Sequence, residues 1–308
     1  MINFRYHVVS LTAVFLALAI GLVVGTTALN GPISESLKEQ VDQLGKQNQE
    51  LRDRINHLED DVNKKEDFAS QVAPALLATK LATDRVLVLT LPSGAGYVED
   101  VTQMLTLGGA TVTGIVQVND KFIDPARNDE LLDLAHQSLR PSITGTLPTN
   151  TDGVEASSAL LAAVLLARVP PVPDTDLASV LAAYQKAEYL TINQKVSGPA
   201  SAVVVISGPP VADKDGPRKN AAVVTLVDQF DQAGRIVVAT SGLAGDGNVV
   251  ATVRADPKLK TTVSTVDNVS TPQGRLAAAL AVADQVEGRE AGHYGIGSGT
   301  TLLPKLAP

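Results

Sequence analysis

Cysteine is absent from the 308 residues, which excludes disulfides, thiolate metal sites and cysteine nucleophiles and leaves the redox compartment open. Tryptophan is absent too, and aromatic residues make up only 3% of the chain. Core and interfaces must therefore come from Val, Leu, Ile and Ala, and aromatic platforms for stacking bases or sugars are scarce. There is no basic excess: the formal net charge is -8, so no electrostatic footprint for nucleic acid exists. Soft metal ligands are equally thin, because Met104 is the only methionine beyond Met1. His57, His136 and His293 are scattered, and each reads more readily as a solvated or hydrogen-bonded side chain than as a ligand.

What the chain does have is a charge-free apolar run at its start. Val8 to Leu29 would rise about 33 Å as a helix, enough to cross a hydrocarbon core. A cleaved signal would have an apolar core of about 7 to 15 residues and a small-residue cleavage site, and Thr27-Ala28-Leu29-Asn30 is a poor version of one. An uncleaved anchor is the better reading. Arg5 precedes the run and Glu35 and Glu39 follow it, so the positive-inside rule leaves the N-terminus in the cytoplasm and the rest outside. Ala13, Ala17, Gly21 and Gly25 form a stripe of small residues at four-residue spacing, a weak signal that two such helices pack together.

Gly31 and Pro32 interrupt the run or start a new helix. Leu37, Val41, Leu44, Asn48, Leu51, Ile55, Leu58 and Val62 then alternate in steps of three and four. This is a heptad seam with Leu at d and mainly β-branched residues at a, the pattern of a parallel dimer, and Asn48 stands where a buried amide specifies register. Arg54 at g faces Glu59 at e of a partner copy, whereas Asp61 facing Glu66 opposes the pairing. An amphipathic helix packed on its own domain is the alternative; little besides the seam is apolar, which favours the coil.

Beyond about residue 70 the pattern becomes α/β. Arg85–Leu91 is a continuous apolar strand, Pro92–Gly96 a small-residue loop, Tyr97–Leu107 a helix ended by Gly108-Gly109, and Thr111–Val118 a strand. A second unit runs from strand Ala202–Ile206 through helix Lys219–Ala233, with Gly234 as its C-cap, to strand Ile236–Ala239. A third joins strand Thr262–Val266 to a helix with Thr271 as N-cap, Pro272 as first residue and Gly288 at its end. Helices are also expected over Ser157–Arg168 and Asp176–Gln185. Continuous apolar strands between helices predict a Rossmann-like, doubly wound parallel sheet. The expected organisation is an anchor over 1–30, a parallel coiled coil over 31–70 and an extracytoplasmic α/β domain over 71–308.

The loops at Ser93–Gly96, Ser207–Pro210 and Thr240–Gly245 fall near strand carboxyl ends, where such sheets bind ligands. Gly94-Ala95-Gly96 resembles the start of a dinucleotide fingerprint, but Glu99 stands where the third small residue belongs and would repel a pyrophosphate. Tight turns are the favoured reading, and no cofactor is expected. Asp267 with Asp246 or His293 could form an acid–base pair, though no spacing requires it; acids at strand ends are usually caps or turn residues. No enzymatic constellation emerges.

The start, Arg5-x-His7-x-Val9-Ser10-Leu11, and the end, Ser264-Thr265-Val266-Asp267 through Gly274-Arg275 to Gly292-His293-Tyr294-Gly295-x-Gly297, resemble the actinobacterial MctB family over essentially the whole chain. The resemblance implies an envelope protein associated with copper efflux, described as pore-forming in an outer membrane. A related SteB-like branch of septation proteins has the same layout and implies a scaffold acting on an envelope or division partner. A barrel needs strands of about ten residues with alternating faces, and these strands are short and apolar on both faces. A pore made from the single span would be lined only by Ser10, Thr12, Thr26 and Thr27.

Overall fold

The computed structural model describes residues 4–30, 32–143, 147–288 and 290–305. Two compact units divide at Lys64/Lys65. The first holds helix α1, Phe4–Asn30, and most of helix α2, Pro32–Leu77. Phe4–Thr27 of α1 is long and apolar enough to cross a membrane. Gly31, the expected interruption, lies outside the described residues. Ala13, Ala17 and Gly21 are exposed along α1, and a Cβ added at Gly21 or Gly25 would meet no atom within 4 Å. The threonine hydroxyls of the span turn back onto their own helix: Thr12 donates to the Val8 carbonyl at 2.7 Å, Thr26 to Leu22 at 2.9 Å and Thr27 to Val23 at 2.7 Å.

α2 runs for 46 residues. Its seam residues Leu37, Val41, Leu44, Leu51, Ile55, Leu58 and Val62 are exposed, as is Asn48. The helix continues without a break past residue 70, and Ala73 and Leu77 are fully buried in the core of the second unit. The apolar pattern changes character there, from a narrow stripe to side chains enclosed by a sheet.

The second unit contains seven strands in the order β3-β2-β1-β4-β5-β6-β7. In chain order it runs β1 (Arg85–Thr90), α3 (Val98–Leu107), β2 (Thr111–Val118), α4 (Asn128–Ser138), α5 (Gly153–Leu165), α6 (Asp174–Lys186), β3 (Leu190–Gln194), β4 (Ala202–Ser207), α7 (Gly216–Ala233), β5 (Arg235–Thr240), α8 (Val249–Ala255), α9 (Leu259–Thr262), β6 (Ser264–Val266), α10 (Pro272–Val286) and β7 (His293–Tyr294). All pairings are parallel except β2 with β3. Strand residues alternate between two apolar layers. Leu87, Leu89, Val203, Val205, Ile236 and Val238 face α4 to α9, while Val86, Val88, Val204, Ile206, Val237 and Ala239 face α3, α10 and the end of α2. Burial on both faces is why the central strands read as continuous apolar runs.

Several expectations are corrected. The sheet is mixed, because β3 returns antiparallel at an edge. The pieces β3, β7, α4, α8 and α9 were not anticipated, and Thr262 belongs to α9 rather than to a strand. The fifth helix begins at Gly153, where Asp152 caps it by accepting from the Glu155 amide at 3.0 Å, and ends at Leu165. Gly234 closes α7 in an extended conformation, φ -178°, not the left-handed cap that glycine often supplies. Thr271 does cap α10, accepting from the Gly274 amide at 3.3 Å, and Gly288 follows its end at φ +75°.

The scarcity of aromatics is met in two ways. Phe122, Tyr184 and Tyr189 gather in one cluster with ring centroids 6.5 Å apart, and α10 buries a run of alanines that lets its backbone sit close to the sheet. Leu77 tests whether the end of α2 belongs to this core. Leu77→Ala is expected to lower the unfolding free energy by about 2–5 kcal/mol, read as a shifted urea midpoint of the full chain in detergent micelles. An exposed seam leucine such as Leu44 truncated in the same way should move that midpoint little when the protein is dilute.

Candidate functional site

Two places at the sheet bring together the residues singled out in the sequence. The first is the crevice where β1 and β4 lie side by side and the strand order reverses, the position at which open α/β sheets hold ligands. Here the Pro92–Tyr97 segment is a 3₁₀ turn rather than an open loop. Gly94 lies under β4, so that an added Cβ would come 2.5 Å from the Ile206 carbonyl oxygen, and one at Gly208 would collide with the Ser93 carbonyl. The Gly208 amide donates to Ser93 Oγ at 3.1 Å, and the Gly208 carbonyl accepts from Thr240 Oγ1 at 3.1 Å and Asn248 Nδ2 at 3.2 Å. These glycines serve the approach of two backbone segments. The remaining cavity is about 60 Å³, room for a few waters. Its cation, Lys219, is paired with Asp213 at 2.6 Å, and that hydrogen bond holds the Asp213 carboxyl below its usual range. Glu99 and Asp100 occupy the first turn of α3, where they oppose an anion.

The second place is the β6–β7 edge, where the terminal motif residues converge. Asp267 at the end of β6 is fully buried. Its carboxylate pairs with Arg254 Nη1 at 2.8 Å and accepts from the amides of Ile296 at 2.8 Å and Gly297 at 3.3 Å. Arg254 extends from α8 and also donates from Nε to Thr265 Oγ1 at 2.8 Å and from Nη2 to the Tyr294 carbonyl at 2.9 Å. One guanidinium thereby touches β6, β7 and the acid that holds the following loop. Gly295 sits at φ +128°, and a side chain there would run into the Asp267 carboxylate. Gly274 presses against the Asn268 carbonyl, while Arg275 binds the Val269 and Ser270 carbonyls and pairs with Asp100 at 2.7 Å. Ser264 Oγ accepts from Gln285 Nε2 at 2.8 Å and from the Gly292 amide at 3.1 Å.

His293 is half-buried on β7, its Nδ1 2.8 Å from Thr265 Oγ1. Burial, and then the positive charge of Arg254, lower its pKa from the usual 6.5, with a backbone contact to Lys260 acting the other way. It makes no hydrogen bond with Asp267, and neither does Asp246, which is exposed in the turn before α8. The acid–base pair considered from the sequence does not form. A carboxylate that already accepts from a guanidinium and two amides serves as a structural anchor. His136 is exposed on α4 and His57 on α2. Among the described residues no group of three His, Cys, Asp or Glu side chains is placed to hold a metal ion. The residue that sequence reasoning missed is Arg254; an arginine inside an otherwise apolar segment was its only signal.

These elements define an α/β protein with one N-terminal helix of membrane-spanning length and a sheet whose last strand is locked by a buried ion pair. The family model described as copper transport outer membrane protein, MctB, matches residues 1–304, and the chain belongs to that family. It is similar to the copper transporter MctB of Mycobacterium tuberculosis, 27% identical over 307 residues, 97% of this chain and 98% of the relative. The copper transporter MctB of Mycobacterium leprae is 31% identical over 314 residues, 98% of this chain and 99% of the relative.

Removing the charge from the lock leaves Arg254 partly buried without its counter-ion. Asp267→Asn should cost about 3–5 kcal/mol of stability, while Asp246→Asn, at an exposed site, should stay within about 0.5 kcal/mol; urea unfolding of both variants decides. His293 supplies a pH test. Its folded pKa is depressed, so the unfolded chain binds the proton first: its contribution is complete above about 6.5 and is lost as pH falls from there toward the folded pKa. The urea midpoint should drop less between pH 7.5 and 5.5 in His293→Gln than in the wild type.

Proposed function

We propose that this chain is an envelope protein anchored by α1, with its N-terminus in the cytoplasm and its α/β unit outside, and that it serves copper efflux by assembling with a second copy of itself along α2. The observation that carries the proposal is the α2 seam. Seven aliphatic side chains and Asn48 are exposed at three- and four-residue spacing on a stretch, Glu35 to Asp67, whose other positions are polar or glycine. Leu at d with Val41, Ile55 and Val62 at a favours two parallel strands, and Asn48 would pair with its counterpart to fix the register.

The same reading makes the chain a scaffold rather than a conduit or a catalyst. The threonine hydroxyls of the span are satisfied by their own helix, which suits a lipid-facing segment and leaves little to line a pore. The sheet is open and covered by helices on both faces, whereas a barrel turns one face of each strand to lipid. Thiolate ligands are absent, so Cu(I), as cargo, would be met by a partner with softer ligands. The name copper transporter, carried by the mycobacterial relatives, supports the copper side of the reading.

The test is complementation. A deletion strain should recover copper tolerance with the wild-type chain and fail to do so with Leu44→Asp/Leu51→Asp, expressed at equal level. Light scattering should show the wild type as a dimer and the variant as a monomer. Full tolerance from the monomeric variant sinks the assembly reading. If the variant restores neither tolerance nor normal cell length, the seam serves a septal partner as in the SteB-like branch. A competition titration against a Cu(I) chelator should find binding no tighter than micromolar; nanomolar binding lost in His136→Ala or His293→Ala restores direct handling of the metal.

A further inference from the structure

We infer that His293 is the catch of a proton-operated clasp: a proton taken up at its Nδ1 loosens β7 and the segment after it from the edge of β6, while the central strands stay closed. Thr265 Oγ1 stands between two nitrogens, Arg254 Nε at 2.8 Å and His293 Nδ1 at 2.8 Å. The arginine nitrogen can only donate. The hydroxyl hydrogen of Thr265 is therefore directed at His293, so that the ring accepts at Nδ1 and, when neutral, carries its hydrogen on Nε2. That leaves the other edge of the ring for the backbone contact to Lys260. Thr265 is fully buried, and water is not at hand to replace either partner.

A proton at Nδ1 turns that acceptor into a donor facing the same oxygen. Thr265 Oγ1 would then receive two donors, and its own hydrogen would lose its acceptor inside the protein, where an unmade hydrogen bond is costly. Charge acts in the same direction. Arg254 from α8 and Lys260 from α9 are the charged groups acting on the ring, both cations, and Asp267 of β6 is taken up by Arg254. α10 lies against the other face of β7, where its alanines share a cluster with Tyr294. The seat that holds the ring is small. β7 has two residues, and the amides of Thr265 and Asp267 donate to the Gly292 and Tyr294 carbonyls at 2.9 and 3.0 Å. The segment after it leans on β7 itself, through the Thr301 amide on the His293 carbonyl at 3.1 Å and the Gly295 amide on the Thr301 carbonyl at 2.9 Å. Short, weakly seated elements of this kind open locally before the fold does, and an open β7 leaves the outer edge of β6 unpaired.

Burial, and after it the charge of Arg254, hold the ring's pKa below the usual 6.5. The open form therefore binds the proton more readily, and its population rises as pH falls from about 6.5 toward the folded pKa, by at most about tenfold per pH unit. Hydrogen–deuterium exchange of the full chain in detergent micelles, corrected for the intrinsic rate at each pH, tests the clasp. Protection of the Gly292–Thr301 segment should fall between about pH 7.5 and 5.5, while that of β1, β4 and β5 stays unchanged. His293→Gln keeps a hydrogen-bonding side chain without a titrating ring and should hold the segment's protection constant over the same range. Nitrogen NMR of the wild-type ring gives a second readout that needs no variant: the neutral form should carry its hydrogen on Nε2 and accept at Nδ1. A loss of protection in His293→Gln as large as in the wild type, a wild-type loss that is absent or shared by β1, β4 and β5, or a neutral ring with its hydrogen on Nδ1 overturns the proposal.

Discussion

Asp267 can sit fully buried only because Arg254 reaches it, and much of the sheet's outer edge depends on that pair. A carboxylate withdrawn from water needs a counter-charge and hydrogen-bond donors to offset its lost hydration. Arg254 supplies the charge from α8, and the amides of Ile296 and Gly297 supply donors from the chain beyond β7. Two residues of β7 could hardly hold a strand position by ladder hydrogen bonds alone. The guanidinium's second and third contacts, to Thr265 and the Tyr294 carbonyl, tie β6 and β7 to the same centre. The terminal motif around Asp267 is thus a fastening.

Much of the sheet could be read from the chain because its inner strands are buried on both sides, and such strands must be apolar throughout. β1, β2, β4 and β5 fall within a residue or two of their apolar runs. The rest was hidden for physical reasons. β3, Leu190-Thr-Ile-Asn-Gln, is an edge strand with three polar residues. β7 is two residues long, fixed by side chains from elsewhere. α8 is built from Val249-Val250-Ala251-Thr252-Val253, which has the β-branched content of a strand; only the Asn248 side chain, accepting from the Val250 amide at 2.9 Å, starts it as a helix.

The candidate sites divide in the same way. Asp267, Gly292, His293, Tyr294 and Gly295 were singled out, and they do come together, yet their shared partner Arg254 lay in the segment whose helical nature was missed. Arg168 stood at the end of the helix expected over Ser157–Arg168, whereas that helix stops at Leu165. The pairing of Ala167 with Ala200, which pins the chain just past that helix, joins segments far apart in the sequence and had no local signal.

The contact between Gly208 and the Ser93 backbone has a practical consequence for chemical intervention. A pocket obstructed by a side chain can be opened by a rotamer change or by trimming that side chain, but main chain packed on main chain offers neither route. Compounds designed for the nucleotide crevice of related sheets would find no entry here, and saturation mutagenesis around it would yield misfolded protein before it yielded a new binding activity.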